Sequence, residues 1–129
     1  MSSGEFVNVL KVLISMGKRF NCPSRICTGY FQPEKKQLME KLDDILVEVL
    51  RDTDMVFRVE DGFFIILPET DMEGAGFISR GIFEFFNGEV AEVMVCYPED
   101  GKDINTVLQS LIDQGKNKYG FMLEKYLKR

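Results

Sequence analysis

The sequence predicts an α/β fold, an α+β sandwich in which a central mixed sheet is flanked by helices and preceded by an N-terminal helix. Three observations carry this. Apolar residues recur at helical spacing in four stretches, beginning near Glu5, Glu34, Met72 and Asp103. β-Prone runs alternate with them, at residues 24–31, 55–59, 63–67, 89–97 and 118–123. Two of those runs, Met55-Val-Phe-Arg-Val59 and Phe63-Phe-Ile-Ile-Leu67, are separated only by Glu60-Asp61-Gly62, a strong hairpin signal. The resulting order is α-β-α-β-β-α-β-α-β, with helices on both faces of a sheet that is antiparallel at the hairpin.

Each element has its own grounds. From Glu5 to Phe20, Phe6, Val9, Leu10, Leu13 and Ile14 form one apolar helical stripe. Ser3 or Ser2 can cap this helix, and Gly17 with the Asn21-Cys-Pro23 turn ends it. Ser24 to Phe31 is a β-prone run bounded by Pro23 and Pro33 and forms the first strand. Pro33 suits the first turn of a helix from about Glu34 to Leu50, whose buried stripe is Leu38, Leu42, Ile45, Leu46, Val49 and Leu50. In the hairpin, Gly62 offers a positive φ at little cost and Pro68 closes the second strand, since it cannot donate to a ladder. A second strand with no polar residue belongs at the centre of a sheet, which puts the hairpin in the middle.

Thr70 or Asp71 caps the next helix, from about Met72 to Phe86. Gly74, Gly76 and Gly81 each cost about 1 kcal/mol there relative to alanine. Burial of Phe77, Ile78, Ile82, Phe85 and Phe86 must offset that, and close helix–sheet contact would explain the glycines. Asn87-Gly88 ends the helix, and Gly88 is free to turn left-handed. A strand from Glu89 to Tyr97 follows, then Pro98-Glu-Asp-Gly101 as a type I or II turn. Asp103 caps a helix to about Asp113, Gln114-Gly-Lys-Asn117 stops it, and Lys118 to Leu123 forms a last strand before a basic tail.

Composition sets limits on function. A chain of 129 residues, 45% hydrophobic and 29% charged, suits one folded domain. Its net charge of −5 argues against non-specific nucleic-acid binding, which needs a basic surface. No stretch approaches the ~20 apolar residues of a membrane span, and Met1-Ser-Ser-Gly-Glu5 lacks the basic start of a signal peptide. Cys22, Cys27 and Cys96, odd in number and without a C-x-x-C, read as reduced structural thiols in a cytosolic protein. The chain has no histidine, which removes imidazole bases, Ser-His and Cys-His nucleophiles and His-ligated zinc.

The hairpin also carries a resemblance. Asp54-Met-Val-Phe-Arg-Val-Glu-Asp-Gly-Phe-Phe-Ile-Ile-Leu-Pro68 resembles the signature hairpin of GGDEF domains, the diguanylate cyclases. Arg51-Asp-Thr-Asp54 stands where that family's R-x-x-D stands, and Pro68-Glu-Thr-Asp71 is similar to its L-P-x-T-D. Met94-Val-Cys-Tyr-Pro-Glu-Asp-Gly101 resembles G-x-A-x-Y-P-E-D-G, and Gly115-Lys-Asn117 resembles the closing G-K/R-N. The matches run in order from about Glu5 to Phe121 and imply the family's nucleotidyl-cyclase-like sheet.

The departures fall on the chemistry. The resemblance implies phosphoryl transfer from GTP with two metal ions held by carboxylates. The first strand here contains no Asp or Glu, Val59-Glu60-Asp61-Gly62-Phe63 replaces the signature, and the metal-binding acid falls at Asp61 or Gly62. The loop that supplies guanine contacts is missing, because Phe31-Gln-Pro33 leads straight on. The expectation is therefore a degenerate domain that is not an enzyme and holds no catalytic residue, metal or cofactor. What remains is the R-x-x-D, which in the family grips cyclic di-GMP. By the resemblance, Arg51, Asp54 and, offset by one position, Arg80 are the ligand-binding candidates, Arg as a planar donor fork and Asp as an acceptor for guanine N–H. The alternative is a nucleotide-independent protein-interaction or dimerisation domain, in which Arg51-Asp-Thr-Asp54 is a polar helix exit. A protein partner or a homodimer is expected; nucleic acid and membrane are not.

Overall fold

The computed structural model of the chain describes residues 3–20 and 25–127. Its elements are α1 (Ser3–Arg19), β1 (Ile26–Pro33), a 3-10 turn (Lys36–Leu38), α2 (Met39–Val49), β2 (Met55–Arg58), β3 (Phe63–Pro68), α3 (Met72–Phe85), β4 (Val90–Tyr97), α4 (Ile104–Tyr119) and a second 3-10 turn (Leu123–Lys125). The strands form one sheet in the order β2-β3-β1-β4. The predicted α/β class holds, with one correction: the sheet is not mixed, because every pairing is antiparallel. The reason is topological. β1-α2-β2 and β3-α3-β4 are two crossover units that interleave, so parallel strands never become neighbours.

Helices cover both faces. Side chains alternate along the strands with period two, so Ile26 and Tyr30 of β1 and Phe64 and Ile66 of β3 face α1 and α4. Cys27 and Phe31 of β1 and Phe63, Ile65 and Leu67 of β3 face α2 and α3. The first core centres on aromatics: the Phe6 ring lies 4.7 Å from Phe64, and Tyr30 lies 4.8 Å from the same ring. Such ring pairs add to the burial itself. The hairpin is only half central. β3 is interior, as its apolar run requires, but β2 is an edge strand of four residues.

Several boundaries move, each for a packing reason. Pro33 does not open a helix; it ends β1 opposite Val90, and α2 begins six residues later through the 3-10 turn. Met39 joins the stripe of α2, whereas Val49 faces solvent. Asp71, accepting from the Gly74 N–H at 2.8 Å, caps α3. Of the phenylalanines expected inside, Phe86 is buried but Phe77 is 74% and Phe85 49% exposed. Close helix–sheet contact does not explain the glycines of α3: a Cβ at Gly81 would meet nothing within 4 Å, one at Gly76 only the Arg80 guanidinium, and one at Gly74 the Thr70 methyl at 3.2 Å, before the helix. After β4, the Asp100 N–H returns to the Cys96 carbonyl at 2.7 Å, a wider reversal than a type I or II turn at 98–101.

The chain after residue 113 differs most from expectation. No strand forms at 118–123; α4 runs through Gly115 to Tyr119 and is stopped by Gly120, at φ 73°. Gly115 is not a breaker but a packing residue, since a Cβ there would come within 2.8 Å of Leu123 Cδ1. Cys27 and Cys96 are not free thiols. They face each other across β1 and β4 and form a disulfide, which their separation of 69 residues hides in the sequence. Cys22, the Asn21-Cys-Pro23 turn and Ser2 lie outside the described residues. Among the described residues no helix is long and apolar enough to cross a membrane.

The outer edge of β4 is covered by side chains. Tyr119 Oη of α4 accepts from the Glu92 N–H at 3.2 Å, and the Asp100 carboxylate accepts from the Cys96 N–H at 2.8 Å.

Candidate functional site

The exit from α2 and the exit from β3 meet at Arg51. The Asp54 N–H closes a turn onto the Arg51 carbonyl at 3.0 Å, which swings the Asp54 carboxylate back under the guanidinium. That carboxylate accepts from Arg51 Nη2 at 2.8 Å, from Nε at 3.2 Å and from the Arg51 backbone N–H at 2.9 Å. Arg51 Nη2 also donates to the Pro68 carbonyl and to Thr70 Oγ1, each at 2.7 Å. The bond to Asp54 raises the arginine pKa above its ordinary value. The Asp54 side chain is 0% exposed and the Arg51 side chain 52%. The two have different parts: Asp54 is the hidden clamp, and Arg51 is the residue that can reach a ligand.

Around the exposed side of Arg51 lies a cleft of about 340 Å³, lined by Arg25, Glu69, Thr70, Asp71 and Gly74. It opens at the N-terminus of α3, where the helix dipole favours negative charge and the Asp71 carboxylate caps the Gly74 N–H. Glu69 stands at φ 51°, a conformation that side chains other than glycine rarely adopt. The Thr70 N–H to Arg25 carbonyl bond, at 3.1 Å, pins the neighbouring residue. The structure brings Arg51 and Asp54 together but leaves Arg80 elsewhere. Arg80 opens onto a groove beside β4, with Ser79, Glu92, Met94 and Lys118. Arg25 was not foreseen, having no local pattern to mark it; Thr70 was visible as an alternative helix cap and in the L-P-x-T-D resemblance, not as a partner of Arg51.

The β2–β3 turn is the second place of interest. The Val59 N–H donates to the Gly62 carbonyl at 2.9 Å, so Glu60 and Asp61 sit at the tip. Gly62 does not use a positive φ; it is glycine for space, because a Cβ there would collide with the Phe31 carbonyl oxygen and lie 2.7 Å from Tyr30 Oη. Asp61 is held among groups of its own chain: Lys36 and Lys125 Nζ at 3.7 Å each and Tyr126 Oη at 3.4 Å. Burial first, then Tyr126 and Asp61, push the Tyr30 phenol far above its ordinary pKa, so it stays protonated and donates to Gln32 at 2.6 Å. Beside this turn β1 therefore presents a phenol and a carbonyl where a pair of divalent cations would need carboxylates. The residues present do not fit the metal pair that the resemblance implies.

No protein-family model matches the chain, and no curated protein matches it in sequence. Solved structures do match. One is a DGC protein from Thermotoga maritima, with a TM-score of 0.71 and 21% identity over 86% of this chain and 92% of that one. The fold is GGDEF-like. A sensory box/GGDEF family protein from Caulobacter crescentus CB15 agrees, with a TM-score of 0.63 and 12% identity over 84% of this chain and 85% of that one. At such identities the likeness speaks for the fold alone.

Proposed function

We propose that this chain is a GGDEF-like regulatory module that performs no cyclase reaction. The observation that carries this is the neighbourhood of the β2–β3 turn. Phosphoryl transfer from GTP needs cations and preorganised charge at the phosphates. Here Asp61 is engaged by Lys36 and Lys125 at ion-pair distance and by the Tyr126 hydroxyl, and Tyr30 stands on the strand that should supply a second carboxylate. Incubating the purified protein with GTP and Mg²⁺ should yield no cyclic di-GMP above a blank; turnover would refute the reading.

Arg51 favours one form of it, a cyclic di-GMP receptor. The guanidinium is fixed by four side-chain bonds with half its surface open, toward a cleft shared with Arg25 and the start of α3. A preorganised fork loses little freedom on gripping a phosphate or a guanine edge. In this form Asp54 positions Arg51 and touches no ligand, and Arg80 takes no part. Calorimetric titration with cyclic di-GMP should give binding that Arg25→Ala weakens and Arg51→Lys nearly removes. Silence in that titration favours the other form, a protein-interaction domain independent of nucleotide.

A further inference from the structure

The helix α1 carries two apolar ridges of the same spacing. Phe6, Leu10 and Ile14 form one, and all three are buried against the sheet. Val12, Met16 and Phe20 form the other, and it faces away from the protein: these side chains are 54%, 50% and 65% exposed. Phe20 follows the last helical residue, yet its N–H still bonds to the Met16 carbonyl at 3.0 Å, which keeps the ridge in line. The neighbouring Asn8, Lys11, Ser15 and Arg19 complete an open, largely apolar hollow of about 630 Å³. An i±4 row of apolar side chains beside a shallow groove is the surface onto which a second helix packs. Isolated exposed apolar residues need no explanation, but a contiguous row does.

We propose that this face of α1 docks an amphipathic helix of a partner protein whose apolar stripe is flanked by acidic residues. Charge selects that occupant. The chain as a whole carries −5, yet the ridge is flanked by Lys11 and Arg19, and among the described residues no Asp or Glu lines the hollow. A second copy of this chain docking through the same face would gather four such cations against only two carboxylates, the Glu5 of each α1. An anionic membrane would have to accept a protein whose remaining surface is acidic. A helix with Glu or Asp beside its stripe meets the apolar row with its own and sets acid against Lys11 and Arg19, the helix-in-groove mode of recognition. Arg19 already lies 5.8 Å from the Phe20 ring, placing its charge at the rim of the apolar surface. This surface gives the protein-interaction form of the proposed function a partner chemistry, and rests on that form. Since α1 packs on the opposite face of the sheet from α2 and α3, its test is independent of the Arg51 cleft.

The test uses a fluorescein-labelled synthetic helix of roughly 18 residues, with leucines at i, i+4 and i+7 spacing and glutamates flanking them. A matched peptide with lysines in place of the glutamates is the comparison, and both are titrated with the full chain by fluorescence anisotropy. The glutamate peptide should bind saturably and the lysine peptide far less. The double variant Val12→Ser/Met16→Ser should weaken binding by about tenfold or more, and Lys11→Glu/Arg19→Glu should reverse the preference between the peptides. All four positions are exposed, so circular dichroism should show an unchanged fold. Absence of saturable binding, equal affinity for both peptides, or indifference to Val12→Ser/Met16→Ser overturns the proposal. So does flotation with phosphatidylserine vesicles, or a sedimenting dimer, that the same double variant abolishes.

Discussion

Removing Arg51 should destabilise the fold by more than its position on the surface suggests. In Arg51→Ala the Asp54 carboxylate, 0% exposed, keeps only one backbone N–H, and the Pro68 carbonyl and Thr70 hydroxyl lose their shared donor. Breaking a fully buried ion pair costs about 3–5 kcal/mol. Arg51 is half exposed, so water enters where it stood, and screening brings the expected loss to about 2 kcal/mol. Arg51→Lys keeps the charge but not the fork, and should cost about 1 kcal/mol. Urea denaturation followed by circular dichroism reads these values directly. Asp54→Ala should lose a similar amount, and the double variant should lose much less than the sum of the two, because both singles break the same clasp. A loss below about 0.5 kcal/mol for Arg51→Ala, or additive singles, would show that the clasp contributes nothing and that the pair is free to serve a ligand as two independent groups.

Gly62→Ala should cost about 1–3 kcal/mol, since the new methyl meets the backbone carbonyl of Phe31 in an interior strand, which cannot yield; an unchanged urea midpoint would refute this. Asp103 caps α4 and accepts from the Thr106 N–H at 2.8 Å and from its hydroxyl at 3.0 Å, bonds that hold its pKa below the ordinary value. Because the folded pKa lies below the unfolded one, the cap stabilises fully above the unfolded value and its contribution fades as pH falls through the folded one. The melting-temperature gap between the protein and Asp103→Ala should therefore be full at neutral pH and close in acid; a gap that widens on acidification would contradict the assignment. The intact mass of unreduced protein should rise by two hydrogens on reduction, and alkylation of all three cysteines without reductant would exclude the Cys27–Cys96 bond.

The hairpin, a cap at Thr70 or Asp71 and the centre of the α2 stripe, Leu42, Ile45 and Leu46, were legible because each depends on neighbours in sequence. Glycine was harder. Gly62 and Gly115 look like a turn residue and a helix breaker, yet both are dictated by contact with a distant part of the chain, Phe31 in one case and Leu123 in the other. Once Gly115 is a packing residue, α4 has no reason to stop, and the expected last strand is consumed by the helix. Phe77 and Phe85 share a helix with the buried Ile82, but aromatic residues all around that helix gave no single stripe to follow. At the candidate site, Arg51 and Asp54 stood out through the resemblance of Arg51-Asp-Thr-Asp54 to an R-x-x-D, while Arg25 joins them only because β1 and β3 are paired and the Thr70 N–H reaches back to its carbonyl. The pairing of β1 with β4 likewise explains the disulfide, which no spacing rule could have announced.

The covered edge of β4 limits how this domain can associate. A strand from another molecule could extend the sheet only by displacing the Tyr119 hydroxyl from Glu92 and the Asp100 carboxylate from Cys96. At the opposite edge, β2 offers just four residues, too little for a durable ladder. Edge-to-edge extension of the sheet, a usual route from exposed strands to fibres, is obstructed on both sides. Whatever this protein binds, it must recognise through side chains and helix surfaces, and a partner's specificity will be written in their shape and charge rather than in main-chain hydrogen bonds.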